Sequence, residues 1–353
     1  MIKFQVPPLN KEMGIQVTNY IHTLTKPMGS LGKLELFAIK LAEMTGVPFP
    51  EVSPPGVIVF AADHGITQEG VSAFPQEVTV QMTANMANGG AAINVFSRQI
   101  DAKFKLVDVG VASDIVTEGI IHKKVRKGTA NFLHEEAMTK EEAVQAISVG
   151  YEEAKSLIDE GIKCLIVGEV GIGNTTASSA VLTTLTNADP AEIVGRGTGI
   201  STEQHERKVD IVKQAVHNRQ PDPRDALDIL SKVGGLEMAA MAGAMLAAAE
   251  RRVPILLDGF ICTVSACIAR LLAPASSDYM IVSHHSAEPG HTKAMNHLEK
   301  SPILQLNMRL GEGTGAAIAF PILESAVRMT AEMATFESAN VTNKENDKVN
   351  VKG

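Results

Sequence analysis

Two glutamates in this chain stand between glycines: Glu312 in RLGEGTGAA (309–317) and Glu169 in VGEVG (167–171). A carboxylate with little bulk on either flank lets a ligand come close, and a dry pocket raises its pKa into the range useful for a general base. An ordinary exposed loop glutamate is the competing explanation. The double frame of Gly311 and Gly313 around Glu312 argues against it more strongly than the looser frame of Glu169. Glycine recurs in Gly29-SLGKLE, Gly168-EVGIGNTT and Gly195-RGTG. Where such a cluster joins a strand to a helix, backbone N–H groups can approach a phosphate at the helix N-terminus. Gly171, Gly173, Asn174, Thr175 and Gly197 are the residues that would do so here, with a plain tight turn as the alternative for any one cluster.

Other chemistry-bearing residues are less committed. Lys208 lies in a charged helix after the Gly195 loop, and is either a solvated residue or the counter-ion of a bound phosphate. Asp63-His64 and Ser283-His284-His285-Ser286 each follow an apolar run, so they can meet at one edge of a sheet. No H-x-x-x-H spacing supports a metal site, which favours hydrogen-bonding or substrate-positioning roles for His284 and Ser286. The P-loop signature and a complete G-x-G-x-x-G are both absent, since Thr176 stands where the third glycine would be. Nor does any strand end in the paired acids that grip a ribose diphosphate through Mg²⁺. Cys164, Cys262 and Cys267 form no C-x-x-C pair and read as small core residues of a protein in a reducing compartment.

The elements that must carry these residues follow from the apolar pattern. Short β-rich runs begin at Gly56, Phe104, Lys163, Val253 and Tyr279, and several are followed by helical periodicity, at Gln76–Arg98, Thr175–Leu185 and Ile261–Leu272. Continuous apolar strands ending in Asp, Gly, Glu or His fit an α/β fold: a parallel, Rossmann-like sheet flanked by helices in three layers, its carboxyl edge bearing the site. Both chain ends look helical, which predicts a small helical domain from 1–50 and 316–340, a large α/β catalytic domain over 51–315, and a frayed tail over 341–353. The net charge of −8 argues against nucleic acid or an anionic membrane as partner. An aromatic content of 4%, with no Trp, argues against base-stacking platforms. The run Met238–Ala249 is too short to span a bilayer and no leader is visible, so a soluble cytoplasmic protein is expected.

Taken together, KPMGSLGKLE (26–35), AADHGI (61–66), VGEVGIGNTT (167–176), QPDPRDALDILSKVGG (220–235), PILLDGF (254–260), SHHSAEPG (283–290) and RLGEGTGAA (309–317) resemble one family, the nicotinate-nucleotide:dimethylbenzimidazole phosphoribosyltransferases of cobalamin nucleotide-loop assembly. The resemblance runs in family order through nearly the whole chain. It implies a homodimeric enzyme that moves phosphoribose from nicotinate mononucleotide to 5,6-dimethylbenzimidazole, with inversion at the anomeric carbon and no cofactor or metal. The family's general base carries over to Glu312. Glu169 would stabilise the oxocarbenium-like centre or hold the ribose, and the glycine-loop amides with Lys208 would hold the phosphate. Gly70-VSAFPQEVT would line the base pocket, with Phe74 and Met82 as apolar candidates to sandwich the ring. The choice among benzimidazole, purine and phenol acceptors stays open. Two other readings are kept: a metal-dependent hydrolase using Asp63, His64, His284 and His285, and a nucleotide sensor without catalysis.

Overall fold

The computed structural model describes residues 4–342, so 343–353 of the expected tail lie outside the described residues. The described chain forms two compact units, one of residues 4–7 and 54–320, the other of 8–53 and 321–342.

In the first unit the five apolar runs become strands of one sheet, and a sixth strand joins them. In chain order they are β1 (Pro55–Ala62), β2 (Lys103–Gly110), β3 (Ile121–His122), β4 (Cys164–Val170), β5 (Ile255–Leu257) and β6 (Met280–Val282). Every pairing is parallel and the spatial order is β3-β2-β1-β4-β5-β6. β1 is buried along its whole length and β4 along all but its last residue, which explains their unbroken apolar sequence. β3 is only two residues long, too short for any period to announce it. The order reverses between β1 and β4, and in open α/β sheets ligands bind outside the carboxyl ends of the strands at such a switch point. Asp63-His64 and Glu169-Val170-Gly171 stand there.

The helices follow the predicted periodicity with one informative exception. Gln76–Arg98, expected as a single helix, is two: Glu77–Ala87 and Ala92–Gln99. Asn88-Gly89-Gly90 breaks it, Gly89 taking φ +77°, a left-handed conformation that ends helices. The Asn94 side chain then accepts the Ala91 N–H at 3.1 Å and starts the second helix. The apolar run at 238–249 lies in helix Leu236–Glu250, buried on all sides up to Ala249. Its small residues let helix Lys140–Asp159 approach backbone to backbone, since a Cβ on Gly150 would overlap Ala240 O and one on Gly243 would overlap Ile147 O. Among the described residues no helix is long and apolar enough to cross a membrane.

The second unit contains helices Lys11–Thr23 and Lys33–Thr45 and residues 321–332 of helix Thr314–Glu332. Val17, Ile21, Leu24, Ala38, Ala42, Ala326 and Met329 form its core. The glycine cluster at Gly29 belongs to this unit and serves as a turn. Glu35 there pairs with the buried Lys26 at 2.8 Å and accepts the Leu31 N–H at 3.0 Å.

Candidate active site

The two glycine-framed glutamates pack against each other. Gly168 in β4 lies directly under the Gly311-Glu312-Gly313 turn, and a Cβ there would overlap Glu312 O. Conversely, a Cβ on Gly311 would overlap Glu169 Oε1. All three residues of the turn have positive φ, +88°, +65° and +93°, and of these only Glu312 carries a side chain for which that conformation is costly. The Glu312 carboxylate reaches the start of helix Ala92–Gln99, where the Ile93 N–H donates to Oε2 at 3.5 Å. Burial raises the Glu312 pKa, the Ile93 amide opposes this, and the negative charge of Asp258 adds to it. Glu169 is pushed well above the carboxylate range, first by burial and then by the charges of Glu237, Asp258 and Glu312. The Glu312 N–H, directed at the Glu169 carboxyl, works the other way.

A cavity of about 300 Å³ opens beside these residues at the carboxyl edge of the sheet. Of the residues singled out in the sequence, Phe74, Glu169, Gly171, Gly173, Asn174, Thr175, Gly197, His284, Ser286 and Gly311 line it. Glu312, Gly313, Lys208 and Met82 stand outside its wall. Helix Asn174–Thr186 points its N-terminus at the cavity, with Gly173 before it at φ +98°. Asn174 Nδ2 donates to Glu169 Oε2, which ties the strand end to that helix. Thr79 Oγ1 accepts the Ile172 N–H at 3.0 Å and steadies the loop.

Lys208 is not solvated. It is fully buried, donating to Thr175 Oγ1 at 2.9 Å and to Gly195 O at 3.4 Å. A Cβ on Gly197 would come within 3.2 Å of Nζ, so the loop passes close over the ammonium group. Burial lowers the Lys208 pKa to about 8, with the Glu288 carboxylate acting against the fall. The Gly195-RGTG loop is pinned from both sides. Arg309 Nη1 donates to Gly197 O at 2.6 Å, and Thr198 Oγ1 accepts the Ala73 N–H at 2.9 Å. Phe74, half exposed, follows that second tie.

The sheet edge at β5 and β6 supplies the remaining wall. Asp258, buried at 2% exposure, accepts backbone N–H groups from Gly313, Gly315 and Ala316. His284 Nε2 lies 3.4 Å from Asp258 Oδ1. Ser286 donates its N–H to His291 Nδ1 at 2.8 Å, and its Oγ accepts the Glu288 N–H at 3.3 Å. Burial and the neighbouring His284 and His285 push His291 down to about 3, so it stays neutral. Glu288 Oε2 is buried with no hydrogen-bond partner among the described residues, and Glu288 faces the cavity.

The quartet proposed for a metal-dependent hydrolase is not assembled. His64 is fully buried and bound through Nε2 to Glu237 at 2.8 Å, while Asp63 Oδ2 accepts the Ala112 N–H. His284 faces Asp258, and His285 is engaged with Thr292 at 3.0 Å. Among the described residues no group of three or more His, Cys, Asp or Glu is placed to hold a metal ion. The three cysteines are buried and free, as their sequence context suggested.

Sequence reasoning missed Asp258, Glu237 and Glu288. Asp258 had a usable signal, an apolar strand ending in Asp-Gly, the same punctuation that drew attention to Asp63-His64. Glu237 had none beyond marking the start of an apolar helix, because its partner lies 173 positions away.

The chain is similar to known proteins along nearly its whole length. The family model described as phosphoribosyltransferase matches residues 6–341. The nicotinate-nucleotide–dimethylbenzimidazole phosphoribosyltransferase of Halalkalibacterium halodurans is 51% identical over 93% of this chain and 92% of its own length. That of Chloroflexus aurantiacus is 48% identical over 96% and 97%. A crystal structure of the enzyme of the same name from Thermus thermophilus superposes with a TM-score of 0.90 at 41% identity, covering 95% of this chain and all of that one. A crystal structure of CobT from the same organism gives 0.91 at 42% identity, covering 94% and 99%. With the family model spanning nearly all of its length and relatives this similar end to end, the chain belongs to the nicotinate-nucleotide–dimethylbenzimidazole phosphoribosyltransferase family.

Proposed function

We propose that this protein transfers phosphoribose from nicotinate mononucleotide to 5,6-dimethylbenzimidazole or a related lower-ligand base, forming α-ribazole 5′-phosphate and nicotinate in cobalamin biosynthesis. The observation that carries the reading is Glu312, a carboxylate with a raised pKa held in a glycine turn beside a cavity that has glycine-loop amides and a buried lysine. The nucleotide occupies that cavity. Its phosphate is held by amides around Gly171, Gly173, Asn174, Thr175 and Gly197, with Lys208 as counter-ion. Ser286, His284 and Gly311 shape the ribose end.

The chemistry needs one base and no acid. The C1′–N bond of the nucleotide breaks with its electron pair returning to the pyridinium nitrogen, so nicotinate leaves without protonation. A ring nitrogen of the acceptor forms the new bond to C1′ from the opposite face, which inverts the anomeric centre. The acceptor thereby becomes cationic, and its other N–H gives its proton to Glu312. Glu169, whose burial and carboxylate neighbours favour the neutral form, holds the ribose by hydrogen bonding rather than by charge. The acceptor enters on the side of Glu312 that faces the start of helix Ala92–Gln99, with Phe74 and Met82 as its apolar contacts. The α/β unit carries the reaction, and the protein works as a cytoplasmic homodimer.

The test is nicotinate release on mixing protein, nicotinate mononucleotide and dimethylbenzimidazole, with the product anomer assigned by NMR. Base-dependent release and an α-linked product support the reading. Binding without turnover would point to a sensor, and turnover abolished by chelators to a metal enzyme.

A further inference from the structure

Glu312 has a backbone conformation that side chains avoid, so something must hold it there. Part of the restraint is local: Thr314 donates to Gly311 O through its N–H at 3.0 Å and its Oγ1 at 2.7 Å. Those bonds close the turn but do not fix it to the sheet. The amides on the far side of Glu312 go elsewhere. Gly313 N–H donates to Asp258 Oδ2 at 3.1 Å, and Gly315 and Ala316 donate to Oδ1 at 2.7 and 3.2 Å. Asp258 directly follows β5, so its carboxylate is a fixed point of the sheet edge. One side chain thus satisfies amides at the start of helix Thr314–Glu332 and anchors the residue next to Glu312.

We propose that Asp258 is the positioning residue of the reaction, aiming the Glu312 carboxylate by clamping the amides of Gly313, Gly315 and Ala316. The proposal rests on the reading of Glu312 as general base. A buried carboxylate that takes several backbone donors is stiff, and orientation errors of about 1 Å cost roughly 10²-fold in rate. The titratable groups facing Asp258 are Glu169 from β4, His284 from the loop after β6, Cys262 from helix Phe260–Leu272, and Glu312 itself. Cys262 Sγ accepts the Asp258 N–H at 3.3 Å. Because Asp258 raises the Glu312 pKa, removing its charge moves the acid limb of the rate profile to lower pH.

The experiment compares Asp258→Asn, Asp258→Glu, Glu312→Gln and the double variant Asp258→Asn/Glu312→Gln with wild type. Asparagine keeps one acceptor oxygen but presents an NH₂ group to one side, so the Gly313 bond is lost. The expected result is a kcat fall of roughly 10²-fold with the nucleotide KM within about twofold, and an acid limb shifted to lower pH. In the Glu312→Gln background the same change should cost less than about threefold, because a residue acting through Glu312 has nothing left to aim. Should Asp258→Asn fail to fold, Asp258→Glu retains the charge and displaces it by one methylene, so kcat falls while the acid limb stays. A full kcat in whichever variant folds, a loss expressed entirely in KM, or additive effects in the double variant would overturn the proposal. Hydrogen exchange at the Gly313 amide, faster without the Asp258 clamp, is independent of turnover. If wild type releases no nicotinate the functional reading falls, while unchanged exchange at Gly313 would still sink the clamp.

Discussion

The backbone N–H of Glu312 is directed at the carboxyl of Glu169, which joins a turn to a strand end 143 positions away in the chain. One glycine beside each glutamate makes room for the other. Gly168 leaves room for the main chain of Glu312, and Gly311 leaves room for the carboxyl of Glu169. Asp258 completes the group from the end of β5.

Glu312→Gln should remove the base while leaving the turn intact, since an amide of the same shape still meets the Ile93 N–H. Turnover is expected to fall by roughly 10²–10⁴-fold, the usual cost of losing a general base. Calorimetric titration with nicotinate mononucleotide should show unchanged affinity. Near-normal nicotinate release by this variant would remove Glu312 from the mechanism.

The pH dependence of kcat/KM should be bell-shaped. Glu312 must be deprotonated to act, so the rate rises with pH through its raised pKa. Lys208 must be charged to hold phosphate, so the rate falls above about pH 8 in the free enzyme. Lys208→Arg should displace the alkaline limb upward, because guanidinium does not titrate in this range. An alkaline limb that stays in place in this variant would separate it from Lys208.

Lys208 also opposes stability. Its folded pKa of about 8 lies below the ordinary 10.5, so the folded protein binds fewer protons than the unfolded chain between these values. Stability should therefore rise with pH across that window. Lys208→Met is expected to raise the melting temperature by several degrees at pH 7 and to raise the nucleotide KM at least tenfold. A melting temperature below that of wild type would show that the bonds to Thr175 and Gly195 outweigh the burial of charge.

Gly311→Ala places a methyl group against Glu169 Oε1 in a left-handed conformation, at φ +88°. Backbone strain of this kind costs about 1–3 kcal/mol. We expect a lower melting temperature and a kcat loss of at least tenfold. Compensating Glu169→Ala in the same chain should restore part of the stability but not the rate. Thermal melts and nicotinate release on both variants check this.

The His64–Glu237 pair, wholly buried, gives a pH signature of its own. Burial opposes a charged imidazole, but the charge and hydrogen bond of Glu237, with the charge of Asp63, outweigh it and raise the His64 pKa above 6.5. A raised folded pKa means that the stabilisation is complete below pH 6.5 and is lost as pH rises through the folded value. Glu237→Gln should flatten that decline and destabilise the fold at pH 6, as breaking a buried pair does by roughly 3–5 kcal/mol. Denaturant melts at pH 6 and pH 9 distinguish this from a pair with no electrostatic role, for which the two curves would shift equally.

Much of this was legible in one dimension, and the limits fall at identifiable residues. Apolar runs ending in Asp63, Glu169 and His284 announced a parallel sheet because burial on both faces leaves no polar alternation. The glycine frame announced Glu312 because only a close approach or positive φ requires such flanks. The sequence did not say that β1 lies between β2 and β4, since strand order depends on contacts far apart in the chain. It read Gln76–Arg98 as one helix because periodicity is continuous across Asn88-Gly89-Gly90, although the break creates the amide that meets Glu312. Lys208 stayed open in the sequence between a solvated residue and a phosphate counter-ion, because its charged neighbours occupy the outer face of the same helix, and only the Gly195 loop folded over it decides its burial and its pKa. Residue types and spacing determined which groups have chemistry to offer. Tertiary structure decided which of them share a low-dielectric space, because pKa shifts and hydrogen-bond partners are set by distance in three dimensions.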